Sequence, residues 1–126
     1  KKAFSSRDSQ RTLNNIIWPE IEKLVLGAIN SASEQGKRLF VLDAALVIEA
    51  GMAESYDHLI LVQADHQIRI KRVSERSGGL SKDDIRKRIE LQMDDPEKEK
   101  YASVLIDNGT DLDSLYLQVD SFILSL

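Results

Sequence analysis

Residues 59–76 read Leu59-Ile60-Leu61-Val62, then Gln63-Ala64-Asp65-His66, then Gln67-Ile68-Arg69-Ile70-Lys71-Arg72-Val73-Ser74-Glu75-Arg76. Four consecutive apolar residues with no alternation describe a strand covered on both faces, the pattern of a parallel sheet. The polar stretch that follows changes to helical spacing within a few residues. Two further apolar runs flank this unit, Leu39-Phe40-Val41-Leu42 before it and Val104-Leu105-Ile106 after it. Helical sequence separates each run from the next, and strands alternating with helices imply an α/β domain built on a parallel sheet.

The remaining elements follow from spacing and punctuation. Leu13, Ile16, Ile17, Ile21, Leu24, Val25, Ala28 and Ile29 recur at three- and four-residue intervals, which predicts a helix over residues 9–33, bent or restarted at Pro19. Gly36 ends that pattern. Between the second and third runs, residues 67–76 and 81–93 read as two helices joined by the flexible turn Ser77-Gly78-Gly79, the second opened by a Ser81-Lys82-Asp83-Asp84 cap. Residues 112–126 carry Leu115, Val119, Phe122 and Ile123 on one face and predict a closing helix.

Composition narrows the function classes. The chain has 126 residues, 42% hydrophobic and 30% charged, the make-up of an ordered domain rather than a disordered segment. No run reaches the roughly 20 apolar residues of a membrane helix. There is no cysteine, and the two histidines, His58 and His66, lack zinc-site spacing. These features suit a reducing compartment, and the expected location is cytoplasmic, with the mitochondrion as the alternative. The chain opens Lys1-Lys2-Ala3-Phe4 and enters helical sequence almost at once, so we expect it to be a piece of a longer protein.

Charge is unevenly distributed. Residues 64–88 hold eight Lys or Arg against four acids, a balance of +4 inside a chain of net −4. A basic island in an acidic chain suits an anion, phosphate above all, and equally suits a solvated helix face. Arg72 and Arg76 lie four apart on one helix face, and Arg88 shares a face of the next helix with Gln92. Arginine forks bind phosphate oxygens in pairs, so two such helices could form a lid over phosphates; pairing with Glu75, Asp83 or Asp84 is the other reading. Asp43 directly follows an apolar run, at the strand end where open α/β sheets gather functional groups. It could hold magnesium or cap a following helix. Glu49 could add a second carboxylate or be an exposed helix residue. Asn108-Gly109 is a turn signal that could also flank a nucleotide base. The basic island lacks interleaved aromatics, so nucleic-acid binding ranks last.

Four blocks together resemble the dephospho-coenzyme A kinase family: LNNIIWPEI from Leu13, VLDAALVIEAG from Val41, QIRIKRVSERSGGLSKDDIRKRIELQ from Gln67, and YASVLIDNGTDLDSLYLQV from Tyr101. They correspond in order to a leucine-rich helix ending in x-Pro, a D-x-P-L-L-x-E segment, an R-x-x-x-R lid with a following R-I-x-x-Q, and a strand ending near N-x-G. The resemblance spans nearly the whole chain. It implies a partial P-loop kinase-like parallel sheet flanked by helices with a helical lid at about residues 66–93, and residues 1–126 as the C-terminal part of the kinase domain. It further implies ATP and Mg2+ as cofactors, and phosphorylation of the ribose 3′-hydroxyl of dephospho-coenzyme A. Arg72, Arg76 and Arg88 are carried over as catalytic lid residues, Asp43 and Glu49 as substrate-side residues with Asp43 also at the metal, and Asn108 and Gly109 as the nucleotide side. The implied partner is a small molecule, with neither nucleic acid nor membrane.

The departures are specific. Asp43-Ala44-Ala45-Leu46-Val47 lacks the proline of D-x-P-L-L, Trp18 precedes Pro19 where His is usual, and Ser103 stands where Asp is common. The Trp-Pro and Asp-Ala-Ala forms are similar to the kinase domain of the bifunctional coenzyme A synthase of animals. No G-x-x-x-x-G-K-[S/T] occurs: the single Gly-Lys pair, Gly36-Lys37, is followed by Arg38. These 126 residues alone are therefore expected to be inactive. Another P-loop nucleotide or metabolite kinase, or a non-catalytic kinase-like binding module, are the alternatives.

Overall fold

The computed structural model describes residues 7–76 and 81–126. They fall into two compact units, Lys1–Ala50 and Gly51–Leu126.

The first unit is dominated by α1, Arg7–Glu34. The expected bend or restart at Pro19 is not a break: the helix runs continuously through the proline. A proline inside a helix has no N–H for the carbonyl four residues earlier, so the Asn15 carbonyl loses its partner while its neighbours keep theirs. The apolar stripe divides by exposure. Val25 is buried and Leu13, Ile21 and Ile29 are half-buried, whereas Ile16, Ile17 and Leu24 are exposed. Gly36, at φ +68°, ends the helix. Its N–H donates to the Ser33 carbonyl and the Lys37 N–H to the Ala32 carbonyl, both at 2.9 Å. This six-to-one and five-to-two pair is a Schellman closure, which requires a left-handed residue that glycine adopts without strain.

Residues 39–42 correct one expectation. They form no strand, and Leu39, Phe40 and Val41 are exposed. A strand exists only through ladder bonds to a neighbour, and an apolar run specifies burial without supplying a partner. Asp43 accordingly does not follow a strand; it precedes a turn over residues 45–50, closed by Ala50 N–H donating to the Leu46 carbonyl at 3.0 Å.

The second unit holds a two-stranded parallel sheet, β1 Ile60–Gln63 and β2 Val104–Asp107, in the register Ile60 opposite Val104 through Gln63 opposite Asp107. Parallel strands need a long crossover, and here it comprises α2 (His66–Arg76), α3 (Lys82–Glu90) and α4 (Asp95–Glu99). Ser103, the residue at the family's usual Asp position, clamps the start of the pairing. Its hydroxyl accepts from Leu59 N–H at 3.0 Å and donates to the Leu59 carbonyl at 3.2 Å. α5, Leu112–Ser125, packs on β2, while α2 packs on α3. Ile70, Ile85 and Ile106 are the most buried apolar residues, Ile85 at 1% exposure.

Caps account for the helix limits. The Ser81 hydroxyl accepts from Asp84 N–H at 3.1 Å and donates to Asp84 Oδ2 at 2.7 Å, the expected capping arrangement. Residues 81–93 are not one helix, however. α3 stops at Glu90, and Asp94 starts α4 by accepting from Glu97 N–H at 3.2 Å, with Pro96 in its first turn. The Asp-Asp-Pro sequence carries that start signal. The joining turn Ser77-Gly78-Gly79 lies outside the described residues.

Candidate functional site at the carboxyl ends of the parallel strands

Parallel α/β sheets present ligand sites beyond the carboxyl ends of their strands, where loops and helix starts converge. In the second unit that edge is formed by Gln63-Ala64-Asp65 after β1 and Asp107-Asn108-Gly109 after β2. Asn108 N–H donates to the Gln63 carbonyl at 2.7 Å, extending the ladder one residue past β2. The passage into α2 is short: Asp65 Oδ1 accepts from Gln67 N–H at 2.7 Å, and the Asp65 carbonyl accepts the Arg69 N–H at 2.9 Å. Asp65 thus closes the first turn of α2 directly at the sheet edge.

The β2 turn is built around Gly109. Its N–H donates to Asp107 Oδ1 at 2.7 Å, an Asx turn. A Cβ on residue 109 would lie 2.8 Å from that same oxygen. A side chain at this position would therefore displace the carboxylate from its bond to the backbone. From α2, Arg72 Nη1 donates to the Asn108 carbonyl at 2.6 Å. From α5, the Gln118 carboxamide meets the backbone of Asp107: Oε1 accepts the Asp107 N–H at 2.8 Å, and Nε2 donates to the Asp107 carbonyl at 2.9 Å.

Three residues singled out by sequence, Arg72, Asn108 and Gly109, are brought together at this edge. Arg76 is the exposed last residue of α2, and Arg88 is exposed in the last turn of α3. Asp43 and Glu49 belong to the first unit, Asp43 exposed and Glu49 half-buried. Among the described residues there is no group of three or more His, Asp or Glu positioned to hold a metal ion.

Sequence reasoning misses two partners. Arg69 stands out in the sequence only as a member of the basic island, yet it forms a two-point ion pair with Asp95, Nη1 to Oδ1 at 3.2 Å and Nη2 to Oδ2 at 2.7 Å. Gln118 is, by spacing, one more residue of a closing helix. The signal available for Arg69 is its place one turn before Arg72, on the same side of α2; Gln118 gives no signal outside its helical spacing.

Local charges follow from these contacts. The Ser81 hydroxyl donates to the Asp84 carboxylate and, helped by Lys87 and Arg88, holds its pKa below the ordinary aspartate value. Asp111, the N-cap of α5, is lowered by the Ser114 N–H it accepts. Arg86 pairs with Asp83 at 3.1 Å. The basic island is thus partly engaged within the protein: Arg69 by Asp95, Arg72 by a carbonyl, Arg86 by Asp83.

No helix among the described residues is long and apolar enough to cross a membrane. Residues 1–114 match the family described as dephospho-CoA kinase. The chain is 33% identical over 122 residues to the dephospho-CoA kinase of Corynebacterium glutamicum, covering 97% of this chain and 60% of that protein. It is 36% identical over 123 residues to that of Streptococcus pyogenes, covering 98% and 61%. The crystal structure of TT1252 from Thermus thermophilus superposes with a TM-score of 0.74 at 26% identity, over 98% of this chain and 63% of that one. The chain therefore spans about three-fifths of the length of these proteins. Four sequence blocks in family order, an α/β unit with a parallel sheet, and a family match over most of its length lead to one assignment: the chain belongs to the dephospho-CoA kinase family.

Proposed function

We propose that the complete protein carrying these 126 residues transfers the γ-phosphoryl group of ATP to the ribose 3′-hydroxyl of dephospho-coenzyme A. The observation that carries this reading is the meeting of Arg72, Asn108 and Gly109 at the carboxyl ends of β1 and β2, in a chain of this family. In the transfer, the 3′-oxygen bonds to the γ-phosphorus as the bond to the β–γ bridging oxygen breaks and ADP leaves, while the hydroxyl proton passes to a general base. Charge spreads over the phosphoryl oxygens, and preorganised donors aimed at those oxygens lower the barrier.

Arg72, Arg76 and Arg88 are assigned to that role on a lid over about residues 66–93. Arg72 supports the assignment best: one guanidinium nitrogen is fixed to Asn108, which leaves the remainder of the fork for a phosphate oxygen. Asn108 and Gly109 form the nucleotide side; their N–H groups are engaged by Gln63 and Asp107, so the Asn108 carboxamide and the Gly109 carbonyl would be the groups that meet a base. Asp43 and Glu49 are assigned to the substrate side. An exposed single carboxylate suits Mg2+, which takes few protein oxygens and fills its shell with phosphate and water. Asp43 would be that ligand, and the ion, when bound, would neutralise charge on the phosphates.

The test is a turnover assay of the complete gene product with ATP and dephospho-coenzyme A, the product's phosphate located by phosphorus NMR. Phosphorylation at the 3′-position of the ribose is expected. ATP consumption with another nucleoside acceptor, and none with dephospho-coenzyme A, would give the site to a different kinase of the same fold.

A further inference from the structure

Gln118 occupies an unusual place for a helix residue. Because Asn108 N–H is directed to β1, the N–H and carbonyl of Asp107 point to the opposite edge of β2. The Gln118 carboxamide closes both, as a neighbouring strand would. Its second Nε2 hydrogen reaches the Ser114 carbonyl at 3.1 Å. Both donors and the oxygen are therefore engaged, and the amide has one orientation: reversed, it would set NH2 against the Asp107 N–H and oxygen against two carbonyls.

Asp107 is also the residue whose carboxylate holds Gly109 N–H. The turn is thus fixed from three elements, by Gln63 of β1 and Arg72 of α2 as well as by Gln118 of α5. The other two act on Asn108. Among the described residues, Gln118 alone bonds the Asp107 N–H and carbonyl, from which the Asx turn projects.

We propose that Gln118 is a positioning residue for the nucleotide, acting through Asp107 to set the Asn108-Gly109 turn. This rests on the proposed nucleotide side of the site. The two contacts hold the peptide groups on either side of the Asp107 Cα, and so fix its backbone dihedrals and the direction of the main-chain groups that follow.

The deciding variants are Gln118→Glu and Gln118→Ala in the complete gene product. Glutamate keeps an acceptor for the Asp107 N–H but turns a second oxygen towards two carbonyls, repulsive when ionised and a donor once protonated. At neutral pH we expect the KM for ATP to rise about tenfold in both variants, the loss of roughly one well-placed hydrogen-bond pair. The kcat and the KM for dephospho-coenzyme A should stay within about twofold. Measured relative to the unsubstituted protein at each pH, the Glu variant should recover as pH falls, and its Asp107 and Gly109 amide NMR signals should return with the same midpoint.

Amide signals unmoved by either variant would overturn the proposal. So would amides that move while the KM for ATP stays unchanged, which would leave Gln118 as an edge closure and the proposed function intact. A parallel loss in kcat, both KM values and melting temperature would reduce it to a fold residue. An unsubstituted protein that makes no coenzyme A would refute the functional reading instead, and the amide signals would still decide whether Gln118 sets the turn.

Discussion

Arg72 Nη1 lies 2.6 Å from the main-chain oxygen of Asn108, joining α2 to the turn that ends β2. The contact joins a proposed lid arginine to the proposed nucleotide side, so one substitution separates a structural role from a catalytic one. The Arg72 side chain is exposed, and water can satisfy the carbonyl in its absence. Arg72→Ala should therefore cost less than about 1 kcal/mol in urea unfolding. If the free part of the fork meets the transferring phosphoryl group, kcat in the complete gene product should fall about 10²- to 10³-fold. Arg72→Lys keeps the charge without the fork and should recover only part of that loss. An Ala variant with normal kcat would remove Arg72 from the transition state.

Gly109→Ala tests the close approach in the Asx turn. The new Cβ would sit 2.8 Å from Asp107 Oδ1, the oxygen that accepts Gly109's own N–H. The carboxylate must swing away, and the bond is lost. We expect a cost of about 1 kcal/mol in chemical denaturation. In an Asp107→Ala background the obstruction and the bond are both gone, so the same Gly109→Ala change should cost markedly less. Equal costs in the two backgrounds would show that the turn does not depend on this contact.

What the sequence reveals, and what it hides, follows from how local each determinant is. β1 and β2 are legible as apolar runs, although Ile60, Val62 and Leu105 are exposed where an unalternating pattern implies cover on both faces, and α5 is legible from its helical periodicity. Residues 39–42 carry the same kind of run and form no strand, because pairing depends on a neighbour that spacing cannot name. The fates of the α2 arginines are likewise hidden. Arg69, Arg72 and Arg76 look equivalent on one helix, yet Arg69 is committed to Asp95 and Arg72 to a carbonyl 36 residues on. Asn108-Gly109 is legible as a turn from its residue types alone, whereas Gln118 closing the edge of β2 from α5 requires the fold.

Arg69 and Asp95 form the two-point pair that fastens α2 to the start of α4. Their side chains are 34% and 29% exposed. That intermediate burial places the pair above a surface ion pair without the full desolvation cost of a core one. A double-mutant cycle with Arg69→Ala and Asp95→Ala should give a coupling energy of about 1–2 kcal/mol. Arg69→Lys should retain less than half of it, since one ammonium cannot match both carboxylate oxygens. Coupling near zero would mean that the ion pair contributes nothing to holding α2 against α4, leaving its packing on α3 and the Arg72 contact.

Asp84 and Asp111 set the acid side of stability. Both carboxyls titrate below the ordinary aspartate value in the folded protein, Asp84 chiefly through the Ser81 hydroxyl and Asp111 chiefly through the Ser114 N–H. Between the folded and unfolded values the unfolded chain binds more protons. The contribution is therefore complete above the ordinary aspartate pKa and is lost as pH falls through the lowered ones. Lys100, raised by its bond to Glu97, works in the other direction: its contribution is complete at neutral pH and is lost only as alkali passes its raised value. Asn at position 111 keeps the cap acceptor, Asn at position 84 keeps an acceptor for the Ser81 hydroxyl, and neither titrates. Asp111→Asn and Asp84→Asn should hence leave neutral stability nearly unchanged while flattening its decline in acid, read as melting temperature against pH. An acid limb equally steep in the double variant would remove Asp84 and Asp111 from the acid unfolding of the protein.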